Sequence, residues 1–304
     1  MATTSDDQSK AARTNGDDKV VFGLYVVALI DFLGQSSELA KWDFAPANPD
    51  QGAEWFRAVQ ASVGRVLAWR TRFEECFRQA RAHGERFSQQ FSEGQPVELR
   101  QRVDEFRKTS LHAAHFSDTL IFYSPLQNEY GYWQVANVAS MIATCGTLML
   151  EALARKTVFR GAIEIGMLSR FPTDEPYGPA LAKAHDLEAK VADYPRIIVG
   201  PDLVSYLDAT LRNPKTAAAA MSNRNVAAIC HEFIAQDAHG CWIVDYLSEK
   251  LAGPTAGTSL RHQVLGEARA FVQAELDRFT KAGDAELAKR YERLLAYFRS
   301  RGVT

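Results

Sequence analysis

The stretch VVFGLYVVALI, residues 20–30, followed at once by Asp31, Phe32, Leu33 and Gly34, decides how the chain is read. Both of its parities are apolar: Val21, Gly23, Tyr25, Val27 and Leu29 on one, Phe22, Leu24, Val26, Ala28 and Ile30 on the other. Such a run predicts a central strand covered on both faces. It ends on a carboxylate, which is expensive to bury unless something answers its charge.

Working outward, residues 53–91 place Trp55, Val59, Ser62, Val63, Val66, Trp69, Phe73, Cys76, Phe77 and Ala80 at steps of three and four, which predicts a long helix or two. Gly94 and Pro96 break it, and a short helix is expected over 97–106. HFSDTLIFYSP, residues 115–125, reads as a strand carrying a second isolated acid, Asp118. A helix over 133–154, a strand over 158–168, a helix over 179–193 and a short strand in YPRIIVG follow. AICHEFIAQDAHGCWIVDYL reads as two strands around an Asp-Ala-His-Gly turn, and residues 260–298 return to helical periodicity with a break near Gly283 and Asp284. The sum is an α+β fold, with helices over a mixed sheet.

The chain has 304 residues, 46% of them hydrophobic and 24% charged, enough for one large domain or two small ones. A formal net charge of −2 creates no strong field toward nucleic acid or an anionic membrane, so neither is expected as a partner. Four scattered cysteines without a CxxC, and no apolar leader in residues 1–18, predict a reduced, cytoplasmic protein with a flexible N-terminal tail. No P-loop or GxSxG element occurs, which argues against a P-loop kinase and a nucleophile-elbow hydrolase.

In this layout Asp31 and Asp118, 87 residues apart, fall on adjacent strands. The residues alone leave two readings open: each is a cap or turn residue, or the pair shares a divalent cation that removes their repulsion. Cys230, His231, His239 and Cys241 form a weaker constellation for zinc, because C-H-x₇-H-x-C is not a usual finger spacing.

ALIDFLGQS, FSDTLIFYSP, RGAIEIG, GPALAKAHDLEAKVADYPRIIV and GCWIVDYL, in that order, resemble the motif set of the class III nucleotidyl cyclases, and most of all the pyrimidine cyclases of Pycsar anti-phage systems. The resemblance spans residues 20–251. It implies a ferredoxin-like sheet with covering helices in a cyclase-like domain over 19–255, with a helical insertion at 50–108 and a C-terminal helical extension over 256–304. It implies a lyase that converts UTP or CTP to the 3′,5′-cyclic monophosphate, cUMP foremost, as a second messenger in antiviral defence. Two Mn²⁺ or Mg²⁺ ions would be held by Asp31, Asp118 and the backbone carbonyl of Phe32, with the two aspartates catalytic, in a homodimer whose composite sites bring residues 171–193 of one chain to the aspartates of the other.

The sequence also departs from that family. The Asn and Arg that support the transition state in many members are replaced by Ala182 and Asp186, and residues 236–240 hold no phosphate-contacting lysine. Arg160 and Lys183 are the candidate substitutes in nucleotide binding, and Phe116 is a candidate to stack on base or ribose, against a bland reading as a core residue. The departures keep a second class of function open, a cyclase-like sensor or interaction module without turnover.

Overall fold

The apolar run forms β1 (Val21–Phe32), in which Tyr25 to Ile30 are fully buried while Phe22 stays exposed. The structure is a computed structural model describing residues 20–34, 49–92, 110–128, 131, 133–252 and 258–303. The expected tail over 1–18 and the expected helix over 97–106 lie outside the described residues.

A 44-residue helix, α1 (Pro49–Ser92), precedes a hairpin of β2 (His112–Phe116) and β3 (Thr119–Pro125). Then come α2 (Val135–Ala154), β4 (Phe159–Arg170), the two-residue β5 (Pro176–Tyr177) and α3 (Pro179–Lys190). β6 (Ile197–Val199), α4 (Pro201–Leu211), α5 (Ala218–Glu232), β7 (Ile234–Gln236) and β8 (Trp242–Val244) complete the sheet region. A helical pair, α6 (Thr258–Ala282) and α7 (Ala285–Ser300), follows.

Among the described residues the strands form one sheet in the order β2-β3-β1-β4-β6-β8-β7, with β5 on the end of β4. β1 pairs antiparallel with β3 and β4, while β4 and β6 run parallel, so the sheet is mixed and the fold is α+β. Central placement explains the doubly apolar β1. Val26, Ala28 and Ile30 face α1 and α2, where Phe73 stacks on Phe122 with ring centroids 3.5 Å apart. Tyr25, Val27 and Leu29 face α3 through Ala180 and Ala184.

α2 is long and apolar enough to cross a membrane by length and composition, but most of it is buried in this core. α1 packs only in part: Val66, Trp69, Phe73, Cys76 and Phe77 are buried, whereas Trp55 and Val63 of the expected stripe are exposed. The C-terminal pair docks on its own core, burying Leu265, Leu294, Leu295 and Phe298.

Three expectations need correction. Residues 115–125 are not one strand but the end of β2, a two-residue connection of Ser117 and Asp118, and β3, with Ser117 at φ 56°. Ser-Asp suits a turn, and a turn outcompetes continuation of the strand. Cys230 and His231 lie on α5 rather than on a strand, because the alanine-rich segment before them carries the helix through to Glu232. Gly200-Pro201 does not merely end a strand; the proline occupies the first turn of α4, a helix absent from the sequence reading.

Candidate functional site

One transverse row of the sheet carries the polar residues. Phe116 pairs with Thr119, Asp31 pairs with Thr119 on one side and with Arg160 on the other, so Phe116, Thr119, Asp31 and Arg160 cross β2, β3, β1 and β4 in line on the face toward α3. Directly paired residues share a face. Asp118 is the turn residue next to Thr119, half-buried, and its charge acts on Asp31. The two aspartates are thus within electrostatic reach of each other, but Asp118 lies at a hairpin tip and not on the adjacent strand that the sequence predicts.

The surroundings of Asp31 are specific. Its Oδ1 accepts a hydrogen bond from the Thr119 hydroxyl at 2.9 Å, and its Oδ2 faces Arg160 Nε at 3.9 Å. Burial is the main influence on the Asp31 carboxyl and raises it above the ordinary value; the Asp118 charge adds to this, while Thr119, Arg160 and His185 act against it. A strand end fixes the carboxylate on a rigid element, and β1 and β4 approach so closely here that a Cβ at Gly161 would collide with the Leu29 carbonyl oxygen.

Arg160 is not a solvated surface cation. Only 23% of its side chain is exposed, and its Nε lies 2.5 Å from Oε1 of Glu188, a buried residue of α3. Neither atom makes a hydrogen bond, so the contact is an ion pair without good hydrogen-bond alignment. Burial raises the Glu188 carboxyl, Arg160 pulls it down and Asp31 pushes it up. Arg160 Nη1 also donates to the Ala192 carbonyl at 3.5 Å. Exposed His185 lies within electrostatic reach of both acids.

The other candidates divide. Phe116 is 80% exposed, so its expected core role is wrong; it lies on the same face as Asp31. The Phe32 side chain is buried edge-to-face against Phe159, which fixes the backbone beside Asp31. Lys183 is exposed and ion-paired with Asp202 at 2.5 Å, at the start of α4, rather than with the aspartates. Ala182 and Asp186 are on the exposed side of α3, where Asp186 pairs with Lys190 at 2.9 Å.

Sequence reasoning missed Glu188 and Glu164. The signal for Glu188 was present: Ala180, Ala184 and Glu188 recur at four-residue steps, and these are the buried residues of α3. Glu164 on β4 is fully buried, with Oε1 accepting from the backbone N–H of Ile165 and of Leu203, both at 2.9 Å. A Cβ at Gly200 would strike this carboxylate and force it to shift against its two backbone hydrogen bonds.

Among the described residues no group of three or more His, Cys, Asp or Glu is placed to hold a metal ion. For the zinc constellation the reasons are local. Cys230 is buried in α5 with its thiol pushed up to about 12 by burial, and His231 lies 3.1 Å from Asp208. At Asp31 and Asp118 the donors are a pair of carboxylates, the oxygen chemistry that hard divalent cations take. Comparison with family models, with curated proteins and with solved structures finds no match.

Proposed function

We propose that the chain is a metal-dependent nucleotidyl cyclase of the class III kind, converting UTP or CTP to its 3′,5′-cyclic monophosphate and pyrophosphate in the cytoplasm. The observation that carries this reading is the convergence of Asp31, on a rigid strand end, with Asp118, on the adjoining hairpin tip, two carboxylates whose charges oppose each other. Such a pair is costly to keep without a cation, and a cation-binding role accounts for it.

Asp31, Asp118 and the Phe32 carbonyl would hold two Mn²⁺ or Mg²⁺ ions, with the remaining ligands drawn from the triphosphate and water. Bound there, the ions would neutralise the triphosphate and acidify the ribose 3′-hydroxyl for in-line attack on the α-phosphorus. The Thr119 hydroxyl, donating to Oδ1, would orient the Asp31 carboxylate. Phe116, exposed at the β2 end of the row, offers a ring on which a base or ribose could stack. The choice of pyrimidine, the role in anti-phage signalling and a homodimer with shared sites rest on the resemblance of motifs alone.

The test is turnover of UTP, CTP, ATP and GTP by the purified protein with Mn²⁺. Cyclic product that disappears in Asp31→Ala and Asp118→Ala supports the reading; product undiminished in both removes it. One observation favours the second reading, a nucleotide-binding module without turnover: Ala182 cannot donate and Asp186 carries the wrong charge. Metal-dependent triphosphate binding by calorimetry, with no product after long incubation, would select it.

A further inference from the structure

We infer that Arg160 gates the Asp31 carboxylate, and that Glu188 is the positioning residue that holds the guanidinium off it so that a divalent cation can enter. This rests on the reading of Asp31 as a cation ligand. Thr119 already occupies Oδ1 of Asp31, and the other oxygen looks at Arg160 Nε across 3.9 Å. An incoming cation therefore meets a guanidinium charge at the one oxygen still free of a direct hydrogen bond. The same Nε lies 2.5 Å from Glu188 Oε1, so the arginine is already drawn toward its second acid.

The geometry makes the two positions exchangeable. Arg160 and Asp31 side chains are each 23% exposed and Glu188 only 6%, so the guanidinium stands between a carboxylate open to solvent and one that is enclosed. The Glu188 contact is close but poorly aligned for a hydrogen bond, and the Nη1 contact to Ala192 is long, so the guanidinium is held mainly by charge and its position depends on the charge of Glu188. With Glu188 charged, the arginine is neutralised on its inner side and the Asp31–Asp118 pair keeps its negative field. With Glu188 neutral, the arginine's remaining carboxylate partner among the described residues is Asp31, and like-charge repulsion works against the cation. His185, exposed on the same helix, lies within electrostatic reach of both acids.

The experiment measures Mn²⁺ binding to the full chain, without nucleotide, by titration calorimetry, with melting curves to confirm folding. Glu188→Gln should weaken Mn²⁺ binding by about tenfold or more, since a full charge is redirected at contact distance. Arg160→Gln should bind at least as tightly as wild type, and the double variant Arg160→Gln/Glu188→Gln should return to the Arg160→Gln affinity, a rescue that a purely structural role for Glu188 would not give. If Glu188→Gln does not fold, the remaining two variants decide, because the double variant buries a neutral pair; either one binding Mn²⁺ more weakly than wild type overturns the gate. Wild-type affinity in a folded Glu188→Gln also overturns it, and leaves the cyclase reading intact when turnover is present. The expected order of affinities without any cyclic product retains the gate and removes the cyclase. No Mn²⁺ binding by wild type removes both.

Discussion

Asp31 and Glu164 stand on neighbouring strands and the same face of one sheet, and burial raises both carboxyls, yet the fold answers them differently. Glu164 is met by backbone: two N–H groups donate to one oxygen, one of them from the first turn of α4, and Gly200 leaves room for the other. Asp31 is met by side chains, a threonine hydroxyl and a shared arginine. Backbone donors are fixed by the strand and the helix that carry them, whereas an arginine side chain can turn away. The first arrangement is a structural joint between strand and helix; the second can be reassigned when a ligand arrives.

The difference breaks most sharply under substitution. Asp31→Asn should lower cyclic-nucleotide turnover by about 10³-fold or more, the scale of lost charge stabilisation at a phosphoryl centre, while leaving the melting temperature near wild type. A chain that melts normally and retains turnover would remove Asp31 from the catalytic site, whereas one that loses turnover together with stability would place it in the same structural class as Glu164.

Gly200→Ala attacks the other side. With no space for a methyl group against the Glu164 carboxylate, it should destabilise by about 1–3 kcal/mol in denaturant unfolding, through overpacking and displacement of a buried acid. Full stability in that variant would mean that the joint is loose.

A smaller effect is expected from Glu164→Gln, and its sign depends on pH. Burial raises the Glu164 carboxyl in the fold, so its contribution to stability is complete below the unfolded value of about 4.3 and is lost as pH rises through the folded value. The glutamine variant should therefore melt above wild type at pH 7.5, with the gap closing as pH falls toward 4. A gap that widens on acidification would show that the two N–H donors outweigh burial.

The least effect on stability is expected at Phe116, which touches no core. Phe116→Ala should stay within about 0.5 kcal/mol of wild type in unfolding. It should nevertheless raise KM for the nucleotide by about tenfold, the scale of one lost stacking contact. Unchanged kinetics would leave Phe116 as an exposed ring with no part in binding.

These regions were unequally legible in the sequence. β1 declared itself because a strand apolar on both parities has few places other than the centre of a sheet, and Asp31 was conspicuous for the same reason. Asp118 was found as an acid but misplaced, since the preference of Ser-Asp for a turn competes locally with a strongly strand-forming context. The partnership of Asp31 with Arg160 depends on the register between two strands 127 residues apart, which no local pattern encodes. Glu188 was passed over because Leu181, Ala184, Leu187 and Val191 offered a more apolar stripe, while the face actually buried is lined by the smaller Ala180 and Ala184. α4 and α5 were lost in a segment whose helix signals are a proline start and a run of alanines rather than a stripe.

The clasp between α7 and the sheet has a consequence for the order in which the molecule is completed. Asp245, buried just after β8, has its two oxygens taken by the Tyr297 hydroxyl at 2.6 Å and by Arg301 at 2.8 Å, and Arg293 of α7 pairs with Asp193 beyond α3. During synthesis the strands exist long before those partners. Until residue 297 has left the ribosome Asp245 has neither of them, and until residue 301 has left it lacks the arginine, so closing the core around it is unfavourable. The sheet is thus made early and sealed late, and a nascent chain halted before residue 297 should remain open to proteases at β8.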